Sequence, residues 1–169
     1  MLEAIAKRLA SDVFGRVYDP KTAIFLCGKA LGAKDSLRAE IAKALDNLPY
    51  PFRYSIMYPE DLFEELLSGP FHQDLLSLET VLARSVDAVV LVLESYGAVA
   101  ELGAFANHPQ LRSKLVCVQD QRFRKAKSFI NYGPLRLLRD HKAGRIVYID
   151  PTKAPRKNNL SNYLRGRMV

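Results

Sequence analysis

The sequence predicts an α/β fold: a doubly wound, mainly parallel sheet of about five strands with helices on both faces. Short apolar runs alternate along the chain with segments of helical periodicity, which is the order expected of βαβ units. The run at residues 87–93 is apolar without a break, as in a parallel strand covered on both faces. Since no repeat or linker divides the chain, we expect a Rossmann-like or flavodoxin-like three-layer sandwich over residues 1–150 and a basic tail at 151–169.

The first half of the chain supplies two predicted strands and four predicted helices. An amphipathic start that stops before Gly15 indicates an N-terminal helix. Asp35 or Ser36 is suited to cap the second helix, and Pro59 followed by two acids suits the start of the third. Leucines at helical spacing predict the fourth. The predicted helices cover residues 2–13, about 36–48, 59–67 and 73–85, and the predicted strands cover 23–28 and 53–57.

The second half begins with the central strand, 87–93, which turns at 94–97 into a helix that ends near residue 107. A strand at 114–118 is followed by a polar, basic segment that favours only short helix. A helix and a last strand complete the predicted sheet, and the tail is polar and poor in core residues. These last elements are the basic segment 121–132, the helix 134–142 and the strand 145–149.

The composition limits the classes of protein to which the chain can belong. With 169 residues, 49% of them apolar and 25% charged, the chain can bury a full core. No apolar run approaches the roughly 20 residues that span a bilayer, and the N-terminus lacks the features of a signal peptide, so we expect a cytoplasmic protein without membrane contact. Cys27 and Cys117 each lie in an apolar run, which favours buried, reduced thiols. Neither has metal-ligand company, so we assign no metal site and no cofactor.

The net charge of +7 is concentrated at one end. Residues 1–120 hold 12 Lys and Arg against 16 Asp and Glu, a balance of −4, whereas residues 121–169 hold 13 against 2, a balance of +11. Such asymmetry favours contact with phosphates, in nucleic acid or in a nucleotide. A solvated basic face with a loose tail would produce the same pattern.

Glu101 is the first candidate for chemistry. It lies one turn into the helix that follows the central strand, among apolar neighbours. A carboxylate rarely lies in such a setting without a partner. Either Glu101 forms a salt bridge with Arg84 or another base, or it projects into a cleft beside Gly97. We favour the cleft because open α/β sheets bind ligands along their carboxyl edge.

Four residues at strand ends are expected at the same edge. Gly28 and Lys29 follow the first strand and suit the close approach of a phosphate, or a simple turn; they match neither the Walker loop nor the dinucleotide fingerprint. Glu94 and Ser95 end the central strand, where they suit ribose hydroxyls. Ser95 is equally suited to cap the next helix.

Other candidates carry a structural alternative of similar weight. Arg38 could reach a phosphate or face solvent, and Tyr58 and Glu60 follow the second strand towards the same edge. Asn131 lies in a segment that suits a base-stacking lid or a plain connection, and Asp87 opens the central strand, where a structural cap is the simpler role. No Ser-His-Asp or Cys-His arrangement emerges, so nucleophilic hydrolysis of that kind has little support.

Residues 94–106 carry a resemblance to a known family. The segment Gly97-Ala-Val-Ala-Glu-Leu-Gly103 resembles the Gly-x-x-x-Glu-x-Gly motif of nucleoside 2-deoxyribosyltransferases. More of the chain is similar to the retron-associated effectors related to them, of the St85 type. The similar pieces are residues 24–28, 58–61, 74–79 and 127–134, together spanning roughly 23–135.

The resemblance implies cleavage of the N-glycosidic bond of a nucleoside, nucleotide or dinucleotide by a retron-type effector of phage defence. In transferases of this type the motif glutamate, here Glu101, attacks the anomeric carbon and forms a glycosyl-enzyme ester. A carboxylate two residues before the motif glycine helps to protonate the leaving base; here that position is Ser95, and Glu94 lies one residue earlier. We therefore expect Glu94 and Asp87 to assist Glu101. The expected substrate-binding residues are Gly28, Lys29, Arg38, Tyr58, Glu60, Ser95, Gly97 and Asn131.

Partners follow from charge and from the resemblance. The basic C-terminal third would face nucleic acid or a reverse transcriptase complex, and a homo-oligomer is expected because related transferases share active sites across subunits. Two other interpretations stay open. The chain could be a non-catalytic module that senses a nucleotide, or a nucleic-acid-binding subunit with a vestigial cleft.

Overall fold

The computed structural model describes residues 21–30, 32–47, 53–61, 75–142 and 144–150. Five strands in these ranges form one sheet: β1 (Thr22–Cys27), β2 (Tyr54–Met57), β3 (Ala88–Val92), β4 (Leu115–Asp120) and β5 (Arg145–Ile149). All neighbours pair in parallel, in the order β2-β1-β3-β4-β5. The predicted doubly wound parallel sheet is confirmed. The predicted helix at 2–13, most of that at 59–67 and the tail 151–169 lie outside the described residues.

The described helices are α1 (Leu37–Asp46), α2 (Leu75–Ser85), α3 (Tyr96–Asn107), α4 (Pro109–Arg112), α5 (Phe129–Tyr132) and α6 (Pro134–Asp140). Ser36, one of the two predicted caps, caps α1, whereas Asp35 adopts a left-handed backbone with φ of 57°. Helix α4 was not predicted; Pro109 at its first position starts a new turn directly after α3. Over the described ranges no helix is long and apolar enough to cross a membrane.

Side chains alternate strictly between the two faces of the sheet. In β1 to β4, odd-numbered residues such as Phe25, Val89 and Cys117 pack with α2, α3 and α6, and even-numbered residues such as Ile24 and Val90 pack with α1. In β5 the numbering is reversed, with Ile146 on the first face and Val147 on the second. This period of two places an apolar layer on each face. The unbroken apolar runs of β1, β3 and β4 are thereby explained, because each of these strands is covered on both sides.

The strand order positions the site. The chain leaves β1 for β2 on one side and then crosses to β3 on the other, so the connections diverge between β1 and β3. In open parallel sheets such a switch point leaves a crevice at the carboxyl ends of the two strands, where ligands bind. Gly28 follows β1 and Glu94 follows β3, so both predicted site residues lie at this crevice.

Candidate active site

A single carboxylate, that of Glu94, joins the carboxyl ends of β1 and β3 to the start of α1. Its Oε1 accepts hydrogen bonds from the backbone N–H groups of Lys29 (3.2 Å) and Arg38 (3.0 Å). The Ser36 hydroxyl donates to the same oxygen at 3.3 Å, and the backbone N–H of Leu37 donates to Oε2 at 2.8 Å. The first N–H groups of a helix lack partners within the helix and favour an anion. Glu94 supplies that anion from within the chain.

The turn after β1 is built around this contact. A Cβ on Gly28 would lie 3.1 Å from Cβ of Arg38 and 3.2 Å from Oε1 of Glu94, so glycine permits the close approach of β1 to α1. Ser95 caps α3 by accepting a hydrogen bond from the backbone N–H of Ala98 at 3.2 Å. The Ser95 hydroxyl also donates to the Gly28 carbonyl at 3.3 Å. The crevice between β1 and β3 is therefore closed at its base by contacts within the protein.

The two basic residues predicted to bind phosphate are engaged by oxygens of the chain itself. The Lys29 ammonium donates to the backbone carbonyl of Lys34 at 2.9 Å. Arg38 is 1% exposed, and its guanidinium forms two hydrogen bonds with the Glu60 carboxylate, at 3.1 and 2.5 Å. The same guanidinium lies 5.5 Å from the centre of the Tyr58 ring. These residues line the edge of the site, but each cation is paired with an oxygen of the protein and is not left free to bind a phosphate.

Glu101 lies on the side of α3 that faces the sheet, and it is half-buried. The thiol of Cys27, the last residue of β1, donates a hydrogen bond to its carboxylate. Its Oε2 is buried and has no hydrogen-bond partner among the described residues. Burial raises the pKa of Glu101, while the Cys27 hydrogen bond and the charge of Arg38 act in the opposite direction. Arg84, the base that could have paired with Glu101, instead contacts His108 at 2.7 Å.

A second buried carboxylate, Glu79 of α2, interacts with Glu101. Glu79 is 5% exposed. Burial, together with the negative charges of Glu101 and Glu60, raises the pKa of Glu79 to about 7. Burial and the charges of Glu101 and Glu79 also raise the pKa of Cys27 well above its usual range, so the thiol keeps its proton and remains a donor. Two acids and a thiol donor thus meet at the carboxyl end of β1.

The surroundings of the two acids differ. Every influence on Glu79 favours its neutral form, whereas Glu101 has a hydrogen-bond donor and a cation that favour its ionised form. Pairs of carboxyl groups whose environments separate their pKa values commonly divide the acid and nucleophile roles. The pKa of both carboxyl groups is raised, but only Glu101 has neighbours that favour its ionised form.

Asp87 does not belong to this cluster. It precedes β3 and therefore lies at the amino edge of the sheet, at the opposite end of the strand from Glu94. Its Oδ2 accepts a hydrogen bond from the backbone N–H of Ala23 at 2.8 Å, and its own N–H donates to the Ala23 carbonyl at 3.0 Å. The expectation that Asp87 assists Glu101 is corrected, because the length of β3 separates them.

Asn131 and Gly97 complete the set of predicted site residues. The Asn131 amide donates from Nδ2 to the backbone carbonyls of Phe123 (2.8 Å) and Ala126 (2.7 Å), and the side chain is buried. It therefore holds the loop after β4 against α5. Gly97 is exposed at the start of α3, where a Cβ would meet only the Ser95 hydroxyl, at 4.0 Å. The start of α3 is thus open to solvent.

Glu79 is absent from the residues that the sequence predicted to act. A signal for it exists, because Glu79 precedes Ala83 by four residues and Val86 by seven, and both are buried. A carboxylate at helical spacing on a buried face raises the same question that singled out Glu101. Cys27 was predicted to be buried, and it is. Its hydrogen bond to Glu101 could not be read from the sequence, because α3 lies more than 60 residues further along the chain.

Comparison with known proteins agrees with the effector resemblance. Residues 34–168 match a family described as STM3845 retron effector protein. Two Escherichia coli proteins, of retrons Ec86 and Ec73, are each named "putative ribosyltransferase/DNA-binding protein". The first is 47% identical over 131 residues, covering 78% of this chain and 42% of the relative. The second is 36% identical over 124 residues, covering 70% of this chain and 38% of the relative. The chain thus spans about two fifths of the length of these relatives.

The Glu94 contact predicts a large structural effect from one substitution. Replacing Glu94 by alanine leaves four donors at the α1 start and the β1 turn without their acceptor. We expect the free energy of unfolding to fall by about 2–3 kcal/mol, as for a lost cap combined with unpaired polar groups. Urea denaturation measures this.

Glu40→Ala is the matched control, because Glu40 is an exposed acid within α1, the helix whose start Glu94 contacts. The described ion pair of Glu40, with Lys43, is 3.6 Å long. Its loss should change the free energy of unfolding by less than about 0.5 kcal/mol. Equal effects from the two substitutions would contradict the role assigned to Glu94.

Proposed function

Because this chain belongs to the STM3845 retron effector family, we propose that it is a glycosyl-transferring effector that breaks the N-glycosidic bond of a nucleoside or nucleotide. The names of the Ec86 and Ec73 relatives support glycosyl transfer at the level of class. In this proposal the damage to the nucleotide pool or to a nucleic acid is what makes the protein an effector of phage defence. Glu101 is the nucleophile and Glu79 the general acid.

The pairing of Glu101 with Glu79 is the observation that carries this proposal. A fold has no structural need for a buried carboxyl group whose pKa is raised by a second, half-buried one, since burial and repulsion both oppose ionisation. Perturbed acids that meet at the carboxyl edge of a parallel sheet are typical of catalytic sites. Moreover, Oε2 of Glu101 has no hydrogen-bond partner among the described residues, so the fold does not use this oxygen as an acceptor.

The first chemical step uses both acids at once. A carboxylate oxygen of Glu101 attacks the anomeric carbon of the sugar, a C–O bond forms, and the bond from that carbon to the base nitrogen breaks. The electron pair of the broken bond stays on the base, and the proton of Glu79 neutralises it. The products are a free base and a glycosyl ester on Glu101, with Glu79 now ionised.

The second step restores the enzyme. Glu79, as a carboxylate, takes a proton from water while the water oxygen attacks the anomeric carbon and displaces Glu101. If a second base replaces the water, the outcome is transfer instead of hydrolysis. Cys27 donates to Glu101 throughout, which stabilises the carboxylate as it leaves the sugar.

The acid is assigned to Glu79 and not to Glu94 because the oxygens of Glu94 already accept four hydrogen bonds from the protein. Glu94 instead positions the edge of the site. Its presence at the start of α1 also disfavours a substrate phosphate there, since two anions would compete for the same N–H groups. We therefore expect the sugar and base to lie at this crevice and any phosphate to lie elsewhere.

Glu101→Gln should abolish base release. The amide keeps the shape of the side chain and can still accept from Cys27, but it cannot form the ester. We expect a loss of roughly 10³-fold or more in the rate of base release, measured by chromatography over a panel of nucleosides, nucleotides and dinucleotides with the retron partners present.

Glu40→Gln should retain full activity, because this acid is exposed on α1. The free energy of unfolding of Glu101→Gln should equal or exceed that of the wild type, since the substitution removes a buried ionisable group. Release of base at the wild-type rate by Glu101→Gln would contradict the nucleophile assignment. Bound nucleotide recovered intact from the wild-type protein would favour a nucleotide sensor.

The rate should fall as the pH rises through about 7. A general acid acts in its protonated form, and Glu79 has its pKa raised to about 7, so the active form is present below that pH and is lost above it. Glu79→Gln should lower kcat/KM by about 10²-fold and remove this pH dependence. A pH profile of kcat/KM for the wild type and for Glu79→Gln measures both the loss of rate and the change in pH dependence.

Titration of the Cys27 thiol cannot produce this fall in rate near pH 7, because the pKa of the thiol is raised well above its usual range. Cys27→Ser should therefore keep the fall near pH 7. An unchanged pH limb in Glu79→Gln would show that another group supplies the proton.

A further inference from the structure

Four aromatic rings project into solvent at the carboxyl edge of β3 and β4. Tyr96, which follows β3, is 98% exposed, and Phe129 is 84% exposed. Tyr132 and Phe123 are 60% and 54% exposed. Since β3 and β4 are neighbours in the sheet, these rings lie along one edge. Large exposed aromatic side chains that cluster in this way mark a binding surface.

The same segment is strongly basic. Residues 121–132 contain four basic and no acidic side chains: Arg122, Arg124, Lys125 and Lys127. All four are exposed, and they interleave with the rings. Arg122 is held by Asp120 at 2.6 Å and lies 5.8 Å from the centre of the Phe123 ring, and Arg124 lies 4.9 Å from that of Tyr148. Positive charge with accessible rings is the combination that binds single-stranded nucleic acid, through phosphates and stacked bases.

Internal hydrogen bonds hold this surface in one arrangement. Asn131 ties the carbonyls of Phe123 and Ala126 to α5, and the Arg139 guanidinium donates to the Asn131 carbonyl at 2.5 Å. The Ser128 hydroxyl caps α5 by accepting from the Asn131 N–H at 3.3 Å. The rings of Phe129 and Tyr132, three residues apart on α5, therefore share one side of a fixed turn. A surface ordered before binding loses less entropy when a ligand arrives.

The charge of the segment indicates which kind of partner the exposed rings bind. A symmetric contact between two copies of this chain would bring the basic segment against itself, which like charges oppose. A polyanion with flat, apolar faces satisfies both the charges and the rings. Double-stranded DNA presents its phosphates but keeps its bases stacked inside, and so leaves the rings unused.

We propose that residues 121–132, together with Tyr96, form a binding surface for single-stranded nucleic acid. Bases stack on Phe123, Phe129 and Tyr132, and the phosphates contact Arg124, Lys125 and Lys127. Arg122 is held by Asp120 beside the Phe123 ring. This surface goes beyond the proposed glycosidase activity and does not depend on it, because none of its residues is a reacting group. It also supplies phosphate contacts that the crevice between β1 and β3 lacks.

The test is a fluorescence-anisotropy titration of a labelled mixed-sequence 12-nucleotide DNA strand, and of the same sequence as duplex, over a series of salt concentrations. Glu101→Gln protein is used throughout, so that binding is measured without turnover and a failed glycosidase assay leaves this result standing. The single strand should bind at least about tenfold more tightly than the duplex under matched conditions.

Two double variants separate rings from charges. Phe129→Leu with Tyr132→Leu should weaken binding by at least about tenfold while leaving the salt dependence unchanged, because apolar volume stays but stacking is lost. Lys125→Ala with Lys127→Ala should reduce the slope of log affinity against log salt concentration by about 1.4, which is the value for two phosphate contacts on a single strand. Val81→Ala, at an apolar side chain of α2 that is 60% exposed, is the control and should bind as the parent does.

Three results would overturn the proposal. They are affinity for the duplex equal to that for the single strand, leucine variants within twofold of the parent, and no binding of the single strand by the parent. Since the substituted side chains are exposed, urea denaturation should give all variants similar free energies of unfolding. Oligomers that disperse in the leucine variants would assign the rings to contacts between copies instead.

Discussion

The pair formed by buried Glu79 and half-buried Glu101 is the constraint on which the account of this protein depends. The two side chains belong to α2 and α3, which pack on the same face of the sheet, and the negative charge of Glu101 raises the pKa of Glu79. Burying such a pair lowers the free energy of unfolding, and the surrounding groups reduce this loss. The Cys27 thiol and the Arg38 charge favour ionised Glu101, whereas the pKa of Glu79 is raised to about 7. The asymmetry makes the pair chemically useful.

A second constraint, the contact of Glu94 with the start of α1, determines what can bind at the switch point. In many parallel sheets a ligand phosphate takes the helix N-terminus that follows the first strand. Here a carboxylate from the next strand in the sheet takes it. The fold is thereby stabilised where other proteins of this architecture rely on a ligand. Phosphate recognition must then come from another surface, and the basic turn after β4 is the strongest candidate among the described residues.

The elements with strong periodicity could be predicted from the sequence, including the helix that carries Glu101. Residues 23–27 of β1, 88–92 of β3 and 115–118 of β4 are apolar without interruption, and Ser36 was one of two residues suited to cap α1. What the sequence could not supply was pairing across distance. Glu94 was predicted at the correct edge, yet its four donors come from segments 56 to 65 residues away. Asp87 was placed in the site because it flanks the same strand, although strand direction puts it at the other edge.

The most direct measurement is a carbon-13 NMR titration of protein labelled at the glutamate carboxyl groups, with Glu79→Gln and Glu101→Gln spectra for assignment. One carboxyl resonance should titrate near pH 7, and it should be missing from the spectrum of Glu79→Gln. In Glu101→Gln its midpoint should be lower, because the neighbouring negative charge is gone. Glutamates that all titrate near the ordinary value of about 4.3 would contradict this account. So would a Glu79 midpoint that Glu101→Gln leaves unchanged.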